Sequence, residues 1–228
     1  MSDGTPATDR LAPLWWLWLP LAFLALALVT ANLWPTFYEL YVDGEHGFME
    51  SLQALHTFIA MLVALSAIPL ARARGKPWLV AYLALAVLAC FYVTGEELSW
   101  GQHFFGWSTP EGWAEINDQE ETNLHNLGVL WNEVPRHVLS ASVLIGGLAI
   151  PLAAALWPAV RRNRLAIVLP PACLWLTALL SALGGLLREK DWIGGLELLP
   201  RASEVQESFL FWFVLLYLIV LKRRIRAL

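Results

Sequence analysis

Charge is scarce in this chain of 228 residues, because Asp, Glu, Lys and Arg make up only 15% of it while apolar residues make up 58%. Soluble domains carry about 25% charged residues, and their surfaces need that polar cover. The two cysteines exclude a disulfide scaffold, and a net charge of −4 without a basic tract argues against a nucleic-acid partner. The composition therefore predicts a protein whose solvent is mostly lipid.

What the chain does contain is a series of long runs without charge. A bilayer core needs about 20 mostly apolar residues per helix, and five runs meet that need: 11–38, 51–71, 77–95, 137–160 and 165–187. A sixth run, 208–221, has only 14 residues. At 1.5 Å per residue it covers about 21 Å of a core about 30 Å thick. The sixth helix must therefore take polar residues into the membrane, and Glu204 and Glu207 are the nearest.

These runs predict an all-α fold, a polytopic membrane helix bundle with six transmembrane helices in a single integral membrane domain, residues 1–228. The spans are expected at about 14–34, 51–71, 77–97, 137–158, 165–187 and 203–221. The long connection at about 98–136 contains Thr109-Pro110-Glu111, a typical helix start, and several tryptophans that suit the headgroup level. We expect this connection to form an interfacial helical cap over the outer ends of the helices.

The segments between the predicted helices fall into two sets of opposite charge. The set that includes both termini holds eleven basic and two acidic residues, whereas the other holds four basic and 17 acidic residues. The positive-inside rule assigns the first set to the cytoplasm. We therefore expect a multi-pass protein of the bacterial inner (plasma) membrane with its N- and C-termini cytoplasmic. The histidines then lie toward the outer face: His46, His56, His103, His125 and His137.

Three predicted helices carry polar or ionisable side chains at similar depth near the outer face. The second contributes three residues, the third two and the sixth two: Glu50, Gln53 and His56; Glu96 and Glu97; Glu204 and Glu207. Such groups are costly in a membrane and normally face the bundle interior. Because like charges repel each other there, either a divalent metal ion or protons held by the carboxylates must offset them.

A metal ion at this place would take its ligands from His56, Glu96, His125 and Glu207, and would activate water. Catalytic acid–base groups are then expected among Glu96, Glu97 and His125. The alternative for His56 is a hydrogen-bonded interior histidine, since no His-Glu-x-x-His or Cys-x-x-Cys motif is present. The expected supporting residues surround these groups: Glu50, Gln53, Trp100, Gln102, His103, Asn123, Asn126 and Glu204.

The third helix is expected to continue into the cap, which would place Glu96, Trp100 and His103 on one helical face. The stretch 117–126 that follows is dense in amides and acids. It is either a polar hinge that satisfies its own backbone or a lid that binds a headgroup and completes the site.

Two motifs, EELSWGQ at 96–102 and NLHN at 123–126, carry a resemblance. The pair resembles a family of uncharacterised bacterial multi-span membrane proteins in which Glu-Glu-x-Ser-Trp-Gly-Gln precedes Asn-Leu-His-Asn, and that family implies no established activity. A much weaker resemblance is to the CAAX-type intramembrane proteases, whose signature also begins with two glutamates. Gly101 stands where the arginine of that signature belongs.

The pattern as a whole predicts an acidic and histidine-containing site open to the outer face. The expected activity is that of a metal-assisted hydrolase or transferase acting on a lipid or lipid-linked substrate. The alternative is a non-catalytic protein, either an accessory subunit of a larger membrane complex or a binding protein for haem, a pigment or a lipid. The expected partners are membrane lipid and, beyond that, other membrane proteins or further copies of the chain.

Overall fold

The computed structural model describes residues 6–42, 47–117, 121–124, 127, 130–131, 133–157, 159–160, 164–188 and 198–228. These residues form helices and no strands, and six of the helices are long and apolar enough to cross a membrane. We label them α1 to α6 in chain order: Ala7–Leu33, Phe48–Ala73, Pro77–Glu97, Glu133–Leu156, Leu165–Leu187 and Ala202–Ala227. The predicted all-α bundle of six transmembrane helices is confirmed. We call its two ends the cap face and the terminal face.

Helix α6 is the central element of the bundle. In its most apolar window 72% of the residues are buried, whereas the other five spans have between 22% and 39% buried. Its main packing partners are α2 and α5. Leu210 and Leu221 of α6 are fully buried, while Leu85 of α3 and Leu152 of α4 are 66% and 63% exposed and face the surroundings. The outer helices thus present apolar side chains to lipid; α2 and α5 pack their other sides on α6, whereas α3 packs mainly on α2.

Helix α4 approaches α5 closely through glycine. A π-helical turn at Ile145–Ala149 interrupts the regular α-helix, and it contains two consecutive glycines. A Cβ added at Gly147 would lie 2.4 Å from the Cβ of Ala178. Glycine is therefore required for the two helices to pack at this distance.

Span α5 is interrupted near the terminal face by Pro170 and Pro171. Two 3₁₀ segments, Arg164–Val168 and Ala172–Leu174, precede its regular helix, Trp175–Arg188. Proline cannot donate a backbone hydrogen bond, so the break leaves carbonyl groups that lipid cannot satisfy.

An arginine of α6 supplies hydrogen bonds to this interrupted segment. Arg224 donates from Nη1 to the carbonyl oxygens of Ile167 and Leu169 at 2.9 and 2.5 Å. Its Nε and Nη2 donate to the carboxylate of Asp9 at 2.7 Å each. One side chain therefore ties α5, α6 and the start of α1 together at the terminal face.

Short helices form the predicted cap between α3 and α4, at Ser99–Gly101, Gln102–Phe105 and Glu111–Ala114. Within α1, short helical segments at Ala7–Asp9 and Leu14–Trp18 precede its regular helix, Leu19–Leu33, and two more follow α1 at Pro35–Phe37 and Tyr38–Val42. The helix at Glu111 begins where the sequence predicted it. Thr109 does not cap it, since the N-cap residue is Pro110, and the Thr109 hydroxyl accepts a hydrogen bond from Gln102 Nε2 at 2.8 Å.

The expected continuation of the third helix into the cap is wrong. Helix α3 ends at Glu97, and Ser99, Trp100 and Gly101 then have positive φ values of 43°, 55° and 93°. Glycine adopts this left-handed backbone freely, but for the serine and the tryptophan it costs about 1–2 kcal/mol each. Contacts of the turn with its surroundings must offset that cost.

Candidate functional site

The first glutamate of EELSWGQ joins α3 to the cap. Glu96 is only 3% exposed, and its two carboxylate oxygens accept hydrogen bonds from Trp100 Nε1 at 2.8 Å and from the backbone N–H of Leu124 at 2.6 Å. The indole ring of Trp100 lies against Gly95, where an added Cβ would sit 2.7 Å from a ring carbon. Glu96 therefore holds both the left-handed turn and the segment around Leu124.

A second buried network attaches the same segment to Ser99. The Ser99 hydroxyl donates to Glu121 Oε2 at 2.5 Å, and Asn123 Nδ2 donates to the same oxygen at 2.6 Å. Asn117 Nδ2 donates in turn to Asn123 Oδ1 at 3.0 Å. All four residues are at most 8% exposed. The described part of the stretch 117–126 thus binds its own members and the end of α3.

Gln102 completes the attachment of the cap. Besides its hydrogen bond to Thr109, its Oε1 accepts from the backbone N–H of Thr122 at 2.6 Å. Of the motif EELSWGQ, the side chains of Glu96, Ser99, Trp100 and Gln102 therefore serve the structure of the cap.

Substitution of Gly95 by alanine is expected to loosen the cap. The new Cβ would overlap the Trp100 ring, so the ring must move and lose its hydrogen bond to Glu96. Overpacking of this kind costs about 1–3 kcal/mol of stability. Gly112→Ala is the matched control, since nothing lies within 4 Å of its added Cβ. Limited proteolysis in detergent should cleave the cap faster in Gly95→Ala alone, and equal cleavage of both variants would contradict this account.

Glu97 is the acidic residue of the motif that the cap does not use. In the described part of the chain, its partly buried side chain takes part in no hydrogen bond or ion pair. Its carboxylate interacts electrostatically with those of Glu207, Glu204, Glu50 and Glu96, in decreasing order. The structure therefore brings together acids from α2, α3 and α6, and we call Glu50, Glu97, Glu204 and Glu207 the glutamate cluster.

The register of α2 against α3 places Gln53 at the level of this cluster. Thr94 donates to Thr57 Oγ1 at 2.9 Å. Because the two helices are antiparallel, one turn toward the cap leads from Thr57 to Gln53 on α2 and from Thr94 to Glu97 on α3. Gln53 and Glu97 therefore belong to one layer of the bundle.

Two buried polar atoms on α2 have no hydrogen-bond partner among the described residues. Gln53 is 0% exposed; its Nε2 donates to the Glu204 carbonyl oxygen at 2.9 Å and to Ser208 Oγ at 3.1 Å, which leaves Oε1 without a partner. His56 packs edge-on against Trp212 with ring centroids 4.7 Å apart, and its Nδ1 is also unpartnered. Each such atom costs about 1–3 kcal/mol, and both lie within two helical turns of Glu50 on α2, which makes this end of the bundle the candidate site for a ligand or ion.

Arg136 of α4 offsets part of the negative charge. Its side chain is 9% exposed, its Nη1 donates to Glu207 Oε1 at 2.9 Å, and its Nη2 makes a short contact with Glu133. Its Nε is buried and has no partner among the described residues. The guanidinium group therefore has one nitrogen without an acceptor in the described part of the chain.

Arg201, at the start of α6, provides weaker compensation. It is 40% exposed and its Nη2 lies 3.7 Å from Glu204 and 3.9 Å from Glu50. Two arginines thus accompany three of the four carboxylates in the cluster. For Glu97 the described residues include no such cation.

Three of the four metal ligands expected from the sequence lie in the described part of the chain, and they have different surroundings. Glu96 is bound by the cap, Glu207 by Arg136, and His56 packs on Trp212. Among the residues that the structure describes, no group of three His, Cys, Asp or Glu side chains has an arrangement suited to a metal ion. Three expected members cannot be placed, because His125, Asn126 and the side chain of His103 lie outside the described residues.

Sequence reasoning missed Arg136 and the Thr57–Thr94 pair. A usable signal for the arginine was present, because it is one of only four basic residues assigned to the cap side of the chain. The threonine pair gives no such signal, since its hydrogen bond depends on the packing of α2 against α3.

Comparison of the chain with protein-family models, with curated proteins and with solved structures gives no match. The function must therefore be argued from the glutamate cluster and its surroundings alone.

Proposed function

We propose that this chain is a membrane hydrolase or transferase that acts on a lipid or lipid-linked substrate at the glutamate cluster, with Glu97 as its acid–base group. The observation that carries the proposal is the isolation of Glu97 among four other carboxylates, without a hydrogen bond in the described part of the chain. Carboxylates that repel one another in a bundle interior need a proton or a bound cation to offset them. A group that gains and loses such a proton is suited to acid–base catalysis.

The chemistry follows from the groups around Glu97. The ionised carboxylate would take a proton from a water molecule whose oxygen forms a bond to the ester carbon or phosphorus of the lipid. As the old ester bond breaks, Glu97 would return this proton to the leaving oxygen. The unpartnered Nε of Arg136 is a donor for the negative charge that develops on the substrate oxygen. In a transferase, an alcohol would replace the water.

The cation that offsets the cluster is, in this proposal, either a proton or a divalent metal ion held by Glu97 and its neighbours. A metal ion would supply an activated water molecule. Elemental analysis of the purified protein separates the two forms: about one equivalent of metal that is lost in Glu97→Gln supports the metal ion, and its absence from the wild type supports the proton.

We further propose that the cap face is the outer face of a bacterial inner membrane, so that both termini are cytoplasmic. The support is the charge asymmetry of the chain, with eleven of the 15 basic residues on the terminal side. The substrate would then enter from the outer leaflet.

The test of the catalytic proposal compares Glu97→Gln with Glu115→Gln, a change at an exposed glutamate of the cap. Purified protein would be placed in nanodiscs of phosphatidylethanolamine and phosphatidylglycerol, and released fatty acid, lysolipid and headgroup would be measured by mass spectrometry. We expect Glu97→Gln to lower turnover by about 10²- to 10⁴-fold, the range for loss of an acid–base group. Glu115→Gln should retain wild-type turnover. A wild-type protein that releases none of these products would overturn the proposal and favour a non-catalytic binding protein.

A further inference from the structure

A lateral apolar cavity lies between α3, α4 and α6, on the membrane side of the glutamate cluster. Its volume is about 510 Å³, within the range of about 300–1,000 Å³ typical of small-molecule sites. Ala86 and Ala89 of α3 and Val214 of α6 are among the residues that line it. Tyr82 and Tyr217 line its end nearer the terminal face, where their hydroxyl oxygens are 2.9 Å apart.

The local structure of two helices keeps this cavity open. Helix α3 lines it with the small residues Ala86 and Ala89, while the adjacent Leu85 and Leu88 are 66% and 64% exposed on the outer surface. The interrupted segment of α5 adds Pro170 to the wall. Irregular backbone within a membrane is tolerated where it is buried in protein or lines a cavity.

The walls of the cavity lead to charged residues at the cap face. Each of these residues lies one or two helical turns from a lining residue of the same helix, so the 3.6-residue period places both on one face. Toward the cap face, Glu97 follows Cys90, Arg136 follows Leu139, and Glu207 follows Val214. The charged side chains therefore lie about 5–10 Å beyond the apolar lining along these helices, a separation that an amphipathic molecule can span.

The charged end favours a headgroup that has both signs of charge. The side chain of Arg136 is nine-tenths buried, and its unpartnered Nε is a donor for a phosphate oxygen. The four carboxylates of the glutamate cluster, accompanied by only two arginines among the described residues, suit an ammonium group. Because the acids around it outnumber the two arginines, a headgroup with phosphate alone would meet net repulsion.

We propose that this cavity holds one hydrocarbon chain of a zwitterionic phospholipid, with the phosphate at Arg136 and the ammonium group at the glutamate cluster. The inference rests on the proposed function and names its substrate class. The source of the lipid is the bilayer around the protein, since the cavity opens beside residues such as Ile145, which is 56% exposed.

Photocrosslinking tests the position of the lipid's hydrocarbon chain. The full-length protein would be placed in nanodiscs with a trace of phosphatidylethanolamine that carries a diazirine in one acyl chain, and adducts would be mapped by mass spectrometry. We expect adducts on the lining segments around Ala89, Val143 and Val214. Ala89→Trp should reduce them to the background of the surrounding lipid, whereas the matched control Leu88→Trp should not. Ala86→Leu is a milder change with the same expected direction, should Ala89→Trp fail to fold.

Adducts spread evenly around the bundle, or an equal yield in Ala89→Trp and Leu88→Trp, would overturn the proposed site for the hydrocarbon chain. The same probe with a phosphatidylglycerol headgroup tests the charge assignment; we expect a yield about fivefold lower, the effect of one partly exposed ion pair. Equal yields from the two headgroups would overturn that assignment. Crosslinking that persists while the wild type releases no product would show that the proposed catalysis fails and the lipid site stands.

Discussion

Arg136→Met is expected to lower the free energy of unfolding by about 3 kcal/mol, the lower end of the cost of removing one partner from a buried ion pair. The guanidinium group is 9% exposed and binds two carboxylates, those of Glu207 and Glu133, which are 17% and 31% exposed. Methionine fills a similar volume but leaves both acids without this cation. The loss should appear as a lower unfolding midpoint in detergent when SDS or heat is the denaturant.

Two further variants separate the ion pair from a general effect of the substitution. Arg136→Met combined with Glu207→Gln should recover much of the stability, because the charge that lost its partner is then gone. Arg201→Met should cost less than about 1 kcal/mol, since Arg201 is 40% exposed and lies 3.7 Å from Glu204. If the two arginine variants were equally destabilised, the central role of Arg136 would be wrong.

Replacement of the adjacent residues Glu96 and Glu97 by alanine should have opposite effects on stability. Glu96→Ala leaves Trp100 Nε1 and the Leu124 N–H without their acceptor, and two buried donors lost in this way cost about 2–4 kcal/mol. Glu97→Ala removes a carboxylate that has like charges around it and no hydrogen bond in the described part of the chain. Its stability is therefore expected to equal or exceed that of the wild type, while its turnover is lost.

The measurement is the unfolding midpoint of both variants alongside the wild type, with cap proteolysis as a second readout. Glu96→Ala should expose the cap to protease and Glu97→Ala should not. A large loss of stability in Glu97→Ala would show that Glu97 supports the fold, and the case for it as the acid–base group would then fail.

The transmembrane helices were accessible to sequence analysis because each leaves a long run without charge. The uncharged run of the sixth helix is too short to cross the bilayer, which predicts that the helix starts among polar residues. Helix α6 does begin before Glu204, at Ala202. The break in α5 was not foreseen, although Pro170 and Pro171 mark it. Their effect depends on Arg224, a residue far along the chain that satisfies the carbonyl groups they leave.

The candidate site was harder to predict from the sequence, and Glu96 and Glu97 illustrate the physical reason. Both are glutamates at the end of one helix, so composition and periodicity treat them alike. What distinguishes them is the direction of the chain after Leu98, where a left-handed turn brings Trp100 back to Glu96. Serine and tryptophan carry no local preference for that turn. The surrounding packing imposes it, and a single sequence does not reveal that packing.

The central position of α6 also constrains how the bundle is made. Because α6 follows the other five spans in the chain, it is synthesised after them. Until it arrives, Gln53 and Arg136 lack the α6 groups they bind, and the carbonyl groups of Ile167 and Leu169 lack Arg224. The earlier helices can pack against each other in part, as the Thr57–Thr94 hydrogen bond between α2 and α3 shows, but these polar groups have their partners only when α6 is in place. The hydrogen-bond network that joins these helices is therefore complete only with the last of the six.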